Sequence, residues 1–339
     1  MIKIIKIPGI KIKGISAAVP KSISYNENKR FKQIIGIFEK RISDSSTCTS
    51  DLCLTAANKL ITDLNINVND IGVILFVSQT PDYKLPNTSA ILQHKLGIPE
   101  DCICFDIPLG CSGYTYGLYT ISSLLKTSNS KYGLLLAGDT ISKHVNIKDN
   151  STAPLFGDCG TATIVALDET QVSPICFNLG TDGSGYDSII IPHGGSRNPI
   201  TKESFVEESD ASGNIKSKQD LYLDGPAVYK FGTNKISNVL NEYINKLNIE
   251  LDCLVLHQAN KLMNDRIVNK INIDNSKSLS SLNDFGNTSS ATIPLTLVTK
   301  LHTLPDYKNI VMCGFGVGLS WAISSISQTD IYCSNLIEI

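Results

Sequence analysis

The chain has 339 residues, 42% of them hydrophobic and 18% charged, with a formal net charge of −2. That much apolar side chain supports one large core or two fused ones and excludes an intrinsically disordered chain. The near balance of charge, with no clustered basic stripe, excludes nucleic acid and anionic lipid as general partners.

The opening Met1-Ile-Lys-Ile-Ile-Lys-Ile-Pro-Gly9 alternates lysine with isoleucine and reads as a first strand rather than a secretory signal. No stretch approaches the roughly 20 apolar residues needed to cross a bilayer, so a soluble, cytoplasmic protein with no membrane partner is expected. Buried strands are predicted at Ile71 to Val77, Tyr132 to Ala137, Ala162 to Leu167, Cys253 to Leu256 and Asn309 to Cys313. Helical periodicity occupies Asp51 to Leu64, Tyr114 to Leu125, Ala227 to Leu247 and Ile293 to Leu301, so strands and helices alternate and the class is α/β. The segment Gly194 to Gln219, rich in Ser, Asn, Lys and Glu, breaks the pattern and reads as a surface loop or lid.

The chain also echoes itself. Asp70 to Val77 parallels Leu251 to Leu256, and Leu109-Gly-Cys-Ser112 parallels Phe285-Gly-Asn-Thr288, each tetrapeptide preceding an apolar helix and then a strand. Two similar α/β halves follow, residues 1–172 and 173–339, joined near 168–178. Ten cysteines are dispersed with no Cys-x-x-Cys pair, which predicts reduced core thiols and no metal site.

Four segments can carry chemistry. Cys111 stands between Gly110 and Gly113 where a strand or loop hands over to a helix, so the helix start should shift its thiol toward thiolate and the glycines should admit a bulky thioester. His257 ends an apolar strand and opens the polar run His257-Gln-Ala-Asn260, at the strand end where α/β folds build their sites. Asn287 heads a helix as Cys111 does. Gly314-Phe-Gly-Val-Gly318 follows the last strand with a backbone suited to close contact with a ligand, though without dinucleotide spacing. Taken singly, these are a structural cysteine, a satisfied histidine, an N-cap and a glycine-rich turn.

Taken together, Cys-Ser-Gly-Tyr, His-Gln-Ala-Asn, Gly-Asn-Thr-Ser and Gly-Phe-Gly-Val-Gly resemble the β-ketoacyl-acyl-carrier-protein synthase III family in order and rough spacing. Leu155-Phe-Gly-Asp-Cys-Gly-Thr-Ala162 and Asp224-Gly-Pro-Ala-Val-Tyr-Lys-Phe231 extend the resemblance from about Ile15 to Ile323. It implies a thiolase fold, five-layered αβαβα, in a homodimer with a catalytic set of Cys111, His257 and Asn287. It further implies a decarboxylative Claisen condensation: Cys111 takes the acyl group of a primer thioester, and a malonyl extender on acyl carrier protein supplies the enolate. Backbone N–H groups of Cys111, Gly316 and Val317 would form the oxyanion hole. Acyl-CoA or another acyl thioester is the second substrate, and no cofactor is implied.

The sequence departs from the family near the tunnel mouth. Arg30 stands where a tryptophan often stacks on the adenine of coenzyme A, and Lys261 follows His-Gln-Ala-Asn where Leu-Arg or Ile-Arg is common. Arg30 and Lys261 are therefore candidate substrate or carrier contacts, with Leu85 and Phe315 as candidate tunnel lining. A hydroxymethylglutaryl-coenzyme A synthase would need a glutamate base near Val77-Ser-Gln-Thr-Pro81, which holds no acid. An acyltransferase passing the Cys111 acyl group to an alcohol or amine is the alternative.

Overall fold

Aliphatic runs such as Ile71–Val77 have no polar face to give to water, so their sheet must be covered on both sides. The structure, a computed structural model, describes residues 2–27, 29–304 and 306–339, with the backbone alone for Arg30 and Phe31. Its main strands are β1 (Ile5–Ile7), β2 (Ile10–Val19), β3 (Ile71–Val77), β4 (Ile103–Ile107), β5 (Tyr132–Asp139), β6 (Cys159–Leu167) and β7 (Ile175–Thr181), then β8 (Cys253–Leu256), β9 (Ser278–Leu279), β10 (Asn309–Gly316), β11 (Ser320–Ser327), β12 (Tyr332–Cys333) and β13 (Ile337–Glu338). The helices are α1 (Lys29–Ile35), α2 (Thr49–Asp63), α3 (Thr88–Lys95), α4 (Gly113–Ser128), α5 (Gly225–Lys230), α6 (Ser237–Leu247), α7 (Lys261–Lys270), α8 (Leu282–Phe285) and α9 (Thr292–Lys300).

Two sheets form, and they share one order. The first runs β12-β2-β6-β5-β3-β4, with β13 also on β2; the second runs β1-β7-β11-β10-β8-β9. In each, two parallel pairings stand at one end (β4-β3-β5 and β9-β8-β10) and two antiparallel pairings follow; the far borders differ, β12 and β13 lying parallel to β2 and β1 antiparallel to β7. Thus β3 corresponds to β8, β5 to β10, and α4 to α9, which gives the sequence echo its structural meaning.

Between the sheets lie α4 and α9. On α4, Tyr114, Leu118, Ile121 and Leu125 are buried with Thr115 and Ser122, and on α9 every residue from Thr292 to Val298 is buried. Such all-round burial explains why neither helix shows a strong polar stripe. Outside the first sheet Ala56, Ala57 and Leu60 of α2 pack on Ile74, Phe76, Leu134 and Leu136. Outside the second, Leu240, Tyr243, Met263 and Ile267 of α6 and α7 pack on Leu254, Leu256, Val311 and Cys313. The five layers are therefore α, β, α, β, α, as the thiolase fold requires.

Three features were not in the sequence reading. The expected division at 172 and 173 falls between β6 and β7, but the chain ends cross it: β1 pairs with β7 in the second sheet, while β12 and β13 pair with β2 in the first. The helix expected over Ala227 to Leu247 holds a π-helical turn, Phe231–Ile236, between α5 and α6. The segment 194–219 carries a short turn, Lys202–Phe205, and a two-residue hairpin, Glu208–Ser209 with Ile215–Lys216. Among the described residues no helix is long and apolar enough to cross a membrane.

Close packing of α4 on the first sheet depends on a missing side chain. A Cβ at Gly117 would sit 2.6 Å from Leu135 Cδ1 and 2.9 Å from Val77 Cγ2. Gly117→Val should therefore cost about 1–3 kcal/mol of stability through overpacking, measured as a lower urea midpoint at unchanged slope; an unaltered midpoint would contradict this packing.

Candidate active site

The shared order of the sheets brings corresponding points of the two halves to one place. At the end of β3 stands Gln79, and at the end of β8 stands His257; Cys111 precedes α4, and Asn287 precedes α9. All four line one cavity of about 950 Å3, counted with its open mouth, together with Phe315 and Gly316 at the end of β10 and Val317 just after it. The sequence singled out six of these seven residues and missed Gln79.

Cys111 lies one residue before Ser112, the N-cap of α4. Ser112 Oγ and Ser320 Oγ are 2.7 Å apart, tying the helix start to the second sheet. The glycine turn presses directly on the nucleophile: a Cβ at Gly316 would stand 2.6 Å from Cys111 Cβ and 2.7 Å from its Sγ, and one at Gly314 would stand 2.7 Å from its carbonyl oxygen. Only a backbone without side chains can approach so closely. The backbone N–H groups of Val317 and of Cys111 itself both act to lower the pKa of the thiol. With Gly316 they are the groups that the sequence reading placed in an oxyanion hole.

The charge state of the thiol differs from expectation. Cys111 keeps some exposure to the cavity as a residue, but its sulfur is enclosed, and burial pushes the thiol up to about 11, against the pull of the Val317 N–H and with a further push from Asp139. Desolvation of the anion outweighs the helix start, so the resting nucleophile is a neutral thiol rather than a thiolate.

His257 is also uncharged. Burial alone drives its imidazole down to about 3. The ring is held on two sides: Nδ1 lies 2.8 Å from Thr292 Oγ1 and the Phe315 ring meets it edge-on at 5.7 Å between centroids. The backbone N–H of His257 donates to Cys313 O at 2.8 Å, and its backbone carbonyl accepts from Asn264 Nδ2 at 3.1 Å. Thr292 Oγ1 also lies 3.1 Å from Ser289 O; when its proton turns to Nδ1 instead, the ring proton rests on Nε2, where a neutral imidazole is a hydrogen-bond donor.

Asn287 is fixed through its backbone. Its N–H donates to Leu155 O at 2.9 Å and its carbonyl accepts from Gly157 N at 3.1 Å, so the loop ahead of α9 is stitched to the first sheet. Its Oδ1 accepts from Ser289 N at 2.9 Å, which turns the NH2 end of the carboxamide away from that contact. The cavity thus joins a thiol, a neutral imidazole and a carboxamide to two backbone donors. That set can take an acyl group onto sulfur and stabilise negative charge on an oxygen.

Between this centre and the mouth the wall is aliphatic: Ile35, Leu155, Leu221, Leu223, Val228 and Met263. At the mouth, Ile34 is 46% and Leu262 51% exposed. Phe315 lines the cavity as expected. Leu85 does not; it is 87% exposed. Its loop runs outward from β3 and is pinned at its ends by Ser50 Oγ on Asp82 and by Thr88 N–H on Asp106. Lys261 starts α7, pairs with Asp265 four residues on, and lines a neighbouring polar groove with Gly36 and Phe38. The side chain of Arg30 lies outside the described residues.

Residues 105–183 match the family model described as 3-oxoacyl-[acyl-carrier-protein (ACP)] synthase III, and residues 245–327 match the one described as its C terminal. A beta-ketoacyl-[acyl-carrier-protein] synthase III 2 of Staphylococcus epidermidis is 33% identical over 88% of this chain and 89% of its own length. A beta-ketoacyl-[acyl-carrier-protein] synthase III of Chlamydia caviae is 33% identical over 87% of each. A solved 3-oxoacyl-(acyl-carrier protein) synthase from Burkholderia xenovorans superposes with a TM-score of 0.91 at 31% identity, covering 100% of this chain and 99% of that one.

The neutral thiol makes a measurable statement. The rate of Cys111 alkylation by iodoacetamide should keep climbing with pH from roughly 7 to 9, because the reactive thiolate is still scarce there. A rate that levels off below about pH 8 would mean that the sulfur is already ionised at rest.

Proposed function

Since the chain belongs to the 3-oxoacyl-acyl-carrier-protein synthase III family, we propose that it joins an acyl primer to a malonyl extender on acyl carrier protein by decarboxylative condensation through an acyl-Cys111 intermediate. The observation that carries this reading is the convergence of Cys111, His257 and Asn287 on one cavity beside Gly316 and Val317.

In the first half-reaction the sulfur of Cys111 bonds to the primer carbonyl and the primer's carbon–sulfur bond breaks. The thiol proton leaves on the departing thiol, so no net charge is created in the cavity. The N–H groups of Cys111 and Val317 hold the tetrahedral oxyanion. In the second half-reaction the malonyl thioester loses carbon dioxide, and the electron pair of that bond becomes an enolate. His257 and Asn287 donate to the enolate oxygen. The enolate carbon then attacks the acyl carbonyl, the carbon–sulfur bond to Cys111 breaks, and the released sulfur takes one proton from water. The product is a β-ketoacyl thioester on the carrier. The two thioesters and one solvent proton balance these steps, so the proposal includes no cofactor.

A pair of uncharged donors suits this chemistry. A permanently charged histidine would stabilise the malonyl carboxylate itself and so oppose its departure, whereas a neutral donor acts mainly on the charge that develops. The aliphatic wall suits an acyl chain and the slender arm that carries it. Acyl carrier protein is the proposed macromolecular partner and a cytoplasmic site is the proposed location. A homodimer is the proposed assembly, supported by the exposed Ile103 on β4, the outermost strand of the first sheet.

Intact-mass measurement after incubation with a panel of acyl thioesters should show one acyl adduct, lost in Cys111→Ala. His257→Ala and Asn287→Ala should still acylate but lose condensation by about 10²–10³-fold, followed as carbon dioxide release coupled to ketoacyl product. An ester or amide product in place of the ketoacyl thioester would instead establish transfer to an alcohol or amine.

A further inference from the structure

One buried carboxylate beside the cavity has no place in the steps above. Asp139 ends β5 and is 0% exposed. Among the described residues no lysine, arginine or histidine pairs with it. A lone carboxylate in an interior is costly unless hydrogen bonds compensate it, and here five do. Oδ1 accepts from Gln79 N–H at 2.7 Å, from Ser78 Oγ at 3.1 Å and from Thr80 Oγ1 at 3.3 Å. Oδ2 accepts from Ser290 Oγ at 2.7 Å and from Ser290 N–H at 3.1 Å.

The two oxygens hold different halves of the molecule. Those on Oδ1 all come from the loop after β3 in the first sheet, where Gln79 meets Gly110, the residue before the nucleophile. Those on Oδ2 come from the turn that leads from Asn287 into α9, three residues beyond the carboxamide. Ser290 Oγ also reaches Val77 O at 3.3 Å, and Ser289 Oγ faces Gly110. The carboxylate is thus the one side chain that bonds both to the loop supporting Cys111 and to the turn supporting Asn287.

Its charge works against the chemistry. Asp139 faces the thiols of Cys111 and Cys53 and the imidazole of His144, and it pushes all three upward. Burial is the larger influence on each of the three, and it leaves His144, like His257, below the ordinary histidine value. Burial also raises the pKa of Asp139 itself, against the pull of the Ser290 and Gln79 hydrogen bonds; when ionised it disfavours the thiolate and the oxyanions that follow, and when protonated it brings no charge, so in either state its value lies in geometry.

We propose that Asp139 is a positioning residue: by bridging the Gln79 loop and the Ser290 turn through its two oxygens, it sets the placement of Asn287 against Cys111, and the condensation step depends on that placement. The effect on condensation rests on the function proposed above; the effect on thiol reactivity does not.

Asp139→Asn separates the two. The amide keeps the shape and can still accept at the Gln79 side, but its NH2 faces Ser290, whose N–H then loses its acceptor. In a folded variant, Cys111 should alkylate faster near neutral pH, because the opposing charge is gone. The condensation kcat should fall by about 10- to 100-fold, the equivalent of one charge-assisted hydrogen bond, while primer acylation persists. A merely structural role predicts slower or unchanged alkylation, with both half-reactions weakened together. Ser290→Ala leaves the charge in place and removes one tether, so it should slow condensation with the alkylation profile unmoved; it also serves should Asp139→Asn not fold. Full condensation activity in either folded variant overturns the proposal. Loss of condensation in the wild-type protein would strike the proposed function instead, with the alkylation comparison still readable.

Discussion

Everything in this molecule turns on how near two backbones can come. The strand end at Gly314 and Gly316 lies against Cys111 with no room for a single methyl group, and that contact is where the second sheet meets the first helix of the inner layer. Because α4 and α9 are corresponding helices of corresponding sheets, the same closeness that admits Cys111 to the glycine turn also delivers Asn287 and His257. The site is a product of the pseudo-symmetry: two strand ends and two helix starts converge, and each half contributes one of each. What differs between the halves is the residue at each point. Gln79 follows β3 as His257 follows β8, Asp139 ends β5 as Gly316 ends β10, and Cys111 precedes α4 as Asn287 precedes α9.

The electrostatic design is one of restraint. The nucleophile rests as a thiol and the histidine as a neutral ring, both because burial penalises ionised forms more than nearby dipoles reward them. Charge enters the cavity only with substrate and only transiently, and the preorganised donors meet it there. Asp139 nearby is enclosed by hydroxyl and amide donors that favour its ionised form against the burial that raises its pKa.

Much of this was legible in the sequence for a physical reason. Parallel strands covered on both faces read as unbroken aliphatic runs, so β3, β5, β8 and β10 fell close to their observed limits. Cys111, His257 and Asn287 were visible because each sits at a strand end or helix start with small or polar neighbours. The remainder depended on distances that sequence does not encode. Gln79 and Asp139 are ordinary polar residues after strands until the opposite half is brought near. The thiol's charge state is set by enclosure, which no local pattern reveals, and the helix start alone pointed the wrong way. Leu85 looked like tunnel lining by its place after β3, yet its loop turns outward. The alternation of Met1 to Gly9 showed β1 as a strand but not which sheet it joins, and β12 and β13 stayed hidden because two residues carry no periodicity.

Those short strands have a consequence for the integrity of the two halves. The edge of the first sheet beside β2 is completed by residues 332–338, while the outer edge of the second sheet is closed by residues 5–7. Each half thus lends the other a border, like the two parts of a clasp. Cutting the chain between the halves would leave each fragment without a border strand that the other carries, and an unpaired border is the surface on which newly made chains stick to one another.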